Sequence, residues 1–129
     1  DLEKASGVVD NLVTTVGKTL MAQLWSGQSG GGINAPTHIA IGSNATAEAV
    51  GQTALVAETA RVALDTRTNT ANVATVVGTF PAGTGTGTVN EVGLFTANAA
   101  GTMTQRALTG AITKPAGLGL QFTWTTTFN

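Results

Sequence analysis

Two periods of apolar residues divide the chain. From Val8 to Trp25 the positions Val9, Leu12, Val13, Val16, Leu20 and Leu24 recur at spacings of three and four. Asp10, Asn11, Thr14, Lys18 and Gln23 fall largely on the other side. That spacing predicts an amphipathic helix with one apolar stripe. Ser6 is its expected N-cap, because a hydroxyl there can accept an orphan backbone N–H of the first turn. Gly17 costs such a helix about 1 kcal/mol relative to alanine. It is read either as a close approach to another backbone or simply as a weak point.

Beyond Pro36 the period falls from 3.6 to 2. Short alternating runs cover Thr37–Gly42, Arg61–Arg67, Val73–Phe80, Thr88–Phe95 and Thr102–Ala107, with turn residues between them. Ser43 to Thr53 reads as a small, polar loop. The last run is the clearest: Leu120, Phe122, Trp124, Thr126 and Phe128 alternate with Gln121, Thr123, Thr125 and Thr127. One face is therefore apolar and aromatic, and the other is a row of amides and hydroxyls. No helical pattern separates the strands, as a parallel sheet would require. The fold class expected is all-β: an antiparallel β-sandwich (jelly-roll or Ig-like) preceded by the N-terminal amphipathic helix. Between the two lies Ser26-Gly-Gln-Ser-Gly-Gly-Gly32, where three consecutive glycines predict a flexible linker. The expected organisation is a helical arm over residues 1–27, a glycine-rich hinge over 28–35 and a β body over 36–129.

Composition adds to this picture mainly through what is scarce. Only 10% of the 129 residues are charged and the formal net charge is −1. No basic field is available for nucleic acid and no polybasic patch for a membrane, so neither is expected as a partner. A balance so near neutrality gives little repulsion between copies, and self-association is the natural expectation. The 24 threonines suit half-exposed strand faces made soluble by hydroxyls rather than by ions. No apolar run approaches the length needed to span a bilayer. The opening Asp1-Leu2-Glu3-Lys4 lacks the layout of a signal peptide, which points to synthesis in the cytoplasm.

Candidate chemistry is sparse. There is no cysteine, and His38 is the only histidine. The acids of the β body are Glu48, Glu58, Asp65 and Glu91, none with a close acidic or histidine neighbour in sequence, so no metal centre or carboxylate dyad is read. Gly83-Thr-Gly-Thr-Gly87 runs on into a strand, whereas a dinucleotide fingerprint must open a helix. Ser6, Ser26, Ser29 and Ser43 lie in caps or loops, none in a nucleophile elbow. The expectation is a non-enzymatic protein without cofactor. In a domain this poor in charge, Glu58, Arg61, Glu91 and Arg106 are candidates for structural ion pairs, against the plainer reading of solvated strand ends. A sugar-binding sandwich would want exposed aromatics, yet Phe122 and Trp124 fall on the apolar face of the last strand.

Three stretches carry a resemblance. They are His38-Ile39-Ala40-Ile41-Gly42 with Thr53-Ala54-Leu55 and Glu58-Thr59-Ala60-Arg61; Val89-Asn90-Glu91-Val92-Gly93-Leu94-Phe95 with Gly101-Thr102-Met103; and Ile112-Thr113-Lys114 leading to Leu120-Gln121-Phe122-Thr123-Trp124. This order resembles small β-rich structural proteins of tailed-bacteriophage virions, and also the attachment domains of some phage tail fibres. The resemblance implies a capsid decoration (cement) protein that is a homotrimer bound to the major capsid protein. The alternative it leaves open is a tail, neck or baseplate component such as a fibre-attachment adaptor. Either implies location in the virion, after assembly in the host cytoplasm. Val9, Leu12, Val16, Leu20 and Leu24 are then candidate partner-contact residues of the arm, unless the stripe packs back on its own domain.

Overall fold

Every alternating run beyond Pro36 forms a strand, and the chain before it is drawn into the same sheet. The computed structural model describes Leu2–Lys4 and residues 11–129. In chain order the elements are β1 (Leu2–Lys4), β2 (Asn11–Val13), α1 (Thr15–Trp25), β3 (His38–Gly42), β4 (Glu58–Thr70), β5 (Val73–Phe80), β6 (Gly87–Phe95), β7 (Met103–Lys114) and β8 (Gly119–Thr127). The strands lie in one order, β1-β8-β5-β4-β3-β6-β7-β2, and only the β1–β8 pairing is parallel.

The sheet is curled, and covalent geometry shows why it must be. Pro115–Leu118 is all that joins β7 to β8. Five Cα steps span at most about 18 Å. In a flat sheet the five strand spacings between β8 and β7 would separate them by about 24 Å. The bend is made at β4. Its first half, Glu58 to Ala63, pairs with β3 and its second half, Leu64 to Thr70, pairs with β5, with a register shift between Leu64 and Thr66. A bulge bends a strand and lets it serve two parts of a sheet. Inside the curl Ile39, Ile41, Phe80, Val92, Ala107, Leu120 and Trp124 pack into one buried cluster contributed by five strands. Closure continues across the gap between β7 and β8, where the Gln105 amide and the Thr126 hydroxyl exchange hydrogen bonds of 3.0 and 3.2 Å. The buried Lys114 ammonium donates to the carbonyls of Pro81 and Leu118, tying two turns at the other end. All-β and mostly antiparallel is therefore the fold class, built as one curled sheet.

The N-terminal helix is shorter than its apolar period predicts. It begins at Thr15, whereas Asn11–Val13 is a strand paired with Gln105 to Ala107 of β7. Val13-Thr14-Thr15-Val16 is a β-branched run, stiff at χ1 and suited to extended backbone. Leu12 and Val13 satisfy both periods, so the pattern alone does not choose. Thr14 makes the break. Its backbone is extended, its Oγ1 accepts the Gly17 N–H at 3.0 Å, and its own hydroxyl donates to the Met103 carbonyl at 2.6 Å. The cap is thus Thr14, and Ser6 lies outside the described residues, as does Val9. Gly17 lies against the Thr104 backbone, where a Cβ would run into the carbonyl oxygen. Of the two readings of Gly17, close approach is the one observed. Residues 28–35 then link α1 to β3, with the Ile33 N–H donating to the Gly30 carbonyl.

Candidate functional site

An acid in the middle of an apolar strand must find partners or lose its charge. Glu91 does so on the outer face of β6. Both it and Arg106 of β7 are fully buried. The register sets Glu91 opposite Leu108 and Gly93 opposite Arg106, so the two charged residues are diagonal neighbours on one face. Arg106 Nη2 and Nε donate to Glu91 Oε1 at 3.0 and 3.1 Å. The Val56 N–H donates to the same oxygen at 2.9 Å, while Ala57 and Asn44 N–H groups donate to Oε2 at 2.8 and 3.3 Å. Gly42 makes room for this: a Cβ there would stand 2.5 Å from Glu91 Oε2 and 2.6 Å from the Ala57 carbonyl.

The pair thereby holds the segment between β3 and β4 over the outside of the sheet. Arg106 Nη1 reaches the Thr46 carbonyl at 2.9 Å and Gln52 Oε1 at 3.4 Å. Glu48 accepts the Leu108 N–H, Asn90 donates to the Ser43 carbonyl, and the Thr15 N–H donates to the Val50 carbonyl. Leu55 adds an apolar plug, packing with Ala40, Phe95 and Met103 into a second buried cluster. With five donors on its two oxygens, Glu91 has little acceptor capacity left for a substrate. Its place is that of a brace.

Glu58 and Arg61 form the other pair, 2.7 Å apart and three residues apart in β4. Arg61 also donates to the carbonyls of Ala97 and Ala100, and its guanidinium lies 3.7 Å from the centre of the Phe95 ring. The four charged candidates therefore meet in two separate pairs. His38 hydrogen-bonds Thr37 Oγ1 at 2.7 Å. Desolvation, and then the Arg61 charge, hold its imidazole below the usual range. Among the described residues no group of three or more His, Asp or Glu converges on a metal-binding geometry. No described helix is long and apolar enough to cross a membrane.

The candidate arm residues are placed in four ways. Leu12 is half-buried in β2, Val16 is half-buried on α1, Leu20 is buried and Leu24 is 40% exposed. Leu20 and Leu24 form one wall of an apolar groove of about 390 Å³ at the open end of the curl, whose other walls include Val76, Leu94 and Trp124. Phe128 stands at its rim, 53% exposed. The groove and the Lys114 tie escaped the sequence pattern. The apolar face of β8 runs past the end of the core, and only the position of α1 decides which of its aromatics stay open. Lys114 carried one signal, a cation just before a proline at a strand end.

Compared with protein-family models, curated proteins and solved structures, the chain matches none.

Proposed function

We propose that the chain is a non-enzymatic structural protein of a tailed-bacteriophage virion, a capsid decoration (cement) protein. It binds the outer shell between capsomers as a homotrimer and stabilises the head. The observation that carries this reading is the apolar groove at the open end of the sheet, where Leu24 and Phe128 stand 40% and 53% exposed. Contiguous exposed apolar surface with a polar surround marks an interaction surface. Second support comes from the outside of the sheet. There Val50 and Val56, each 49% exposed, are carried on a segment held rigidly by Glu91 and Arg106. A rigid, charge-poor body with apolar contacts on two sides suits a subunit that must fit both its copies and a shell. The fold on this reading is a variant of the jelly-roll or Ig-like sandwich, its two layers β1-β8-β5-β4 and β4-β3-β6-β7-β2 continuous through the shared β4.

The test is reconstitution. Purified chain added to virions stripped of it should rebind to saturation and raise the temperature at which the genome is released. Failure to bind the shell, with binding confined to the tail or neck, would replace this reading by the fibre-attachment alternative.

A further inference from the structure

We propose that the N-terminal unit made of β1, β2 and α1 is exchanged between copies, so that each β body is closed by the unit of a neighbour. The inference rests on the reading of the protein as a self-associating assembly subunit, and it names the contact that joins the copies.

The unit completes the body at both ends of the sheet. β1 pairs with β8 and β2 with β7, the two strands that are otherwise its edges. An open edge offers unpaired N–H and C=O groups to any chain that meets it. The fit is specific. Asn11, Leu12 and Val13 stand opposite Ala107, Arg106 and Gln105. The Thr14 N–H donates to the Thr104 carbonyl at 3.0 Å, and the Thr15 N–H donates to the Val50 carbonyl at 2.7 Å. Gly17 brings α1 against the Thr104 backbone. These contacts fix where a unit binds, and they are the same whichever copy supplies it.

The connection between unit and body leaves that choice open. Among the described residues, 26–35 make no hydrogen bond to the β body: Ser26, Gly27 and Gln28 donate back into α1, and Ile33 donates to Gly30. Gly27, Gly30, Gly31 and Gly32 lie at positive φ, and a Cβ added at any of them would meet nothing within 4 Å. Trp25, at the end of α1, is 93% exposed, so the base of the linker is not packed down either. Twelve Cα steps separate Trp25 from Thr37. They reach up to about 43 Å, beyond the ~30 Å width of a small domain. Exchange replaces contacts within a chain by the same contacts between chains, which makes it a low-cost route to an oligomer. A flexible linker of this kind holds a chain's own unit at an effective concentration in the millimolar range. Free copies at micromolar concentration therefore stay closed, whereas copies crowded side by side on a shell exchange. In a closed ring each copy gives one unit and receives one.

Cross-linking of the full chain tests this. There is no cysteine, so a pair placed across the contact reports on it alone. Thr15→Cys/Val50→Cys sets one exposed thiol on α1 and another on the segment between β3 and β4, to be joined by a short bis-maleimide. At about 10 µM the link should form within chains, with on the order of 1% of them exchanged. Bound to virions, or equilibrated at several millimolar, about half of the chains or more should be recovered as covalent multimers, trimers among them, with the intrachain product falling in step. Val13→Cys/Gln105→Cys, directly opposite in β2 and β7, repeats the test if the first variant does not fold. Links that stay within chains under every condition would overturn the proposal. So would multimers formed equally well by Thr15→Cys alone, which would report chance encounters of exposed thiols. Covalent dimers without trimers would support exchange and contradict the three-fold assembly. Exchange at millimolar concentration by a chain that does not bind virions would keep the contact and sink the functional reading.

Discussion

Glu91 and Arg106 show how much of this structure rests on single side chains. Fifteen residues apart and both without solvent exposure, they meet only because a bulge between Val89 and Glu91 sets the register of β6 against β7. Removing one partner strands the other charge in the interior, which costs about 3–5 kcal/mol. Glu91→Ala should therefore lose that much in a chemical denaturation, and its residues 43–57 should become sensitive to protease first. A loss under about 1 kcal/mol, within the range of an exposed ion pair, would mean that the pair is not a brace. The scarcity of charge singled these residues out in the sequence. Their partners were not legible, because a bulge leaves no mark in hydrophobic alternation. His38 offers a second test. Burial and the Arg61 charge favour its neutral form, so the unfolded chain takes up the proton at higher pH than the folded one. The stability tied to neutral His38 is full above the ordinary value of 6.5 and is lost as pH falls below it through the folded value. An NMR titration of the imidazole should show a midpoint below 6.5, moving upward in Arg61→Met. A midpoint at or above 6.5 in the wild type would contradict the assigned surroundings.

Among the elements, α1 and the strand before it were the hardest to read. Leu12 and Val13 fit a helical stripe, yet they lie in β2 because Thr14 gives its hydroxyl to β7 and caps the helix after them. Tertiary hydrogen bonds decided between two periods that the apolar residues satisfy equally. Most strands after Pro36 were legible to within about three residues, but β7 runs on to Lys114, seven residues past Ala107, where the alternation ends, and β4 has no fully buried face to mark its bounds. The segment from Ser43 onward was not legible, because its anchors are backbone groups bound to Glu91 and Arg106 rather than apolar residues in a pattern. Gly17 makes the helix testable. In an exposed helix, Gly→Ala gains about 0.5–1 kcal/mol. Here the added methyl meets the Thr104 backbone, so Gly17→Ala should destabilise, by about 1–3 kcal/mol as for other overpacked sites. A stabilised variant in a urea melt would show that α1 can move away from β7.

At the scale of the whole molecule, the curl of the sheet produces the surface on which the functional account rests. Strand positions were readable from alternation, but strand order was not, and order decides everything at the open end. β4 turns the corner, β7 and β8 approach each other, and α1 packs beside the gap so that Leu20, Leu24, Trp124 and Phe128 share one groove. The aromatic face of the last strand was therefore only partly core: Leu120 and Trp124 are buried, while Phe128 is left at the rim. On the proposed reading, this charge-poor surface is covered in the assembled shell. The measurement that tests the account most directly is the copy number of the chain in purified virions, by quantitative mass spectrometry against the major capsid protein. The account predicts a ratio near one to one, as for a protein that decorates the whole shell. A ratio far below that, confined to tail or neck fractions, or absence from the particle, would contradict it.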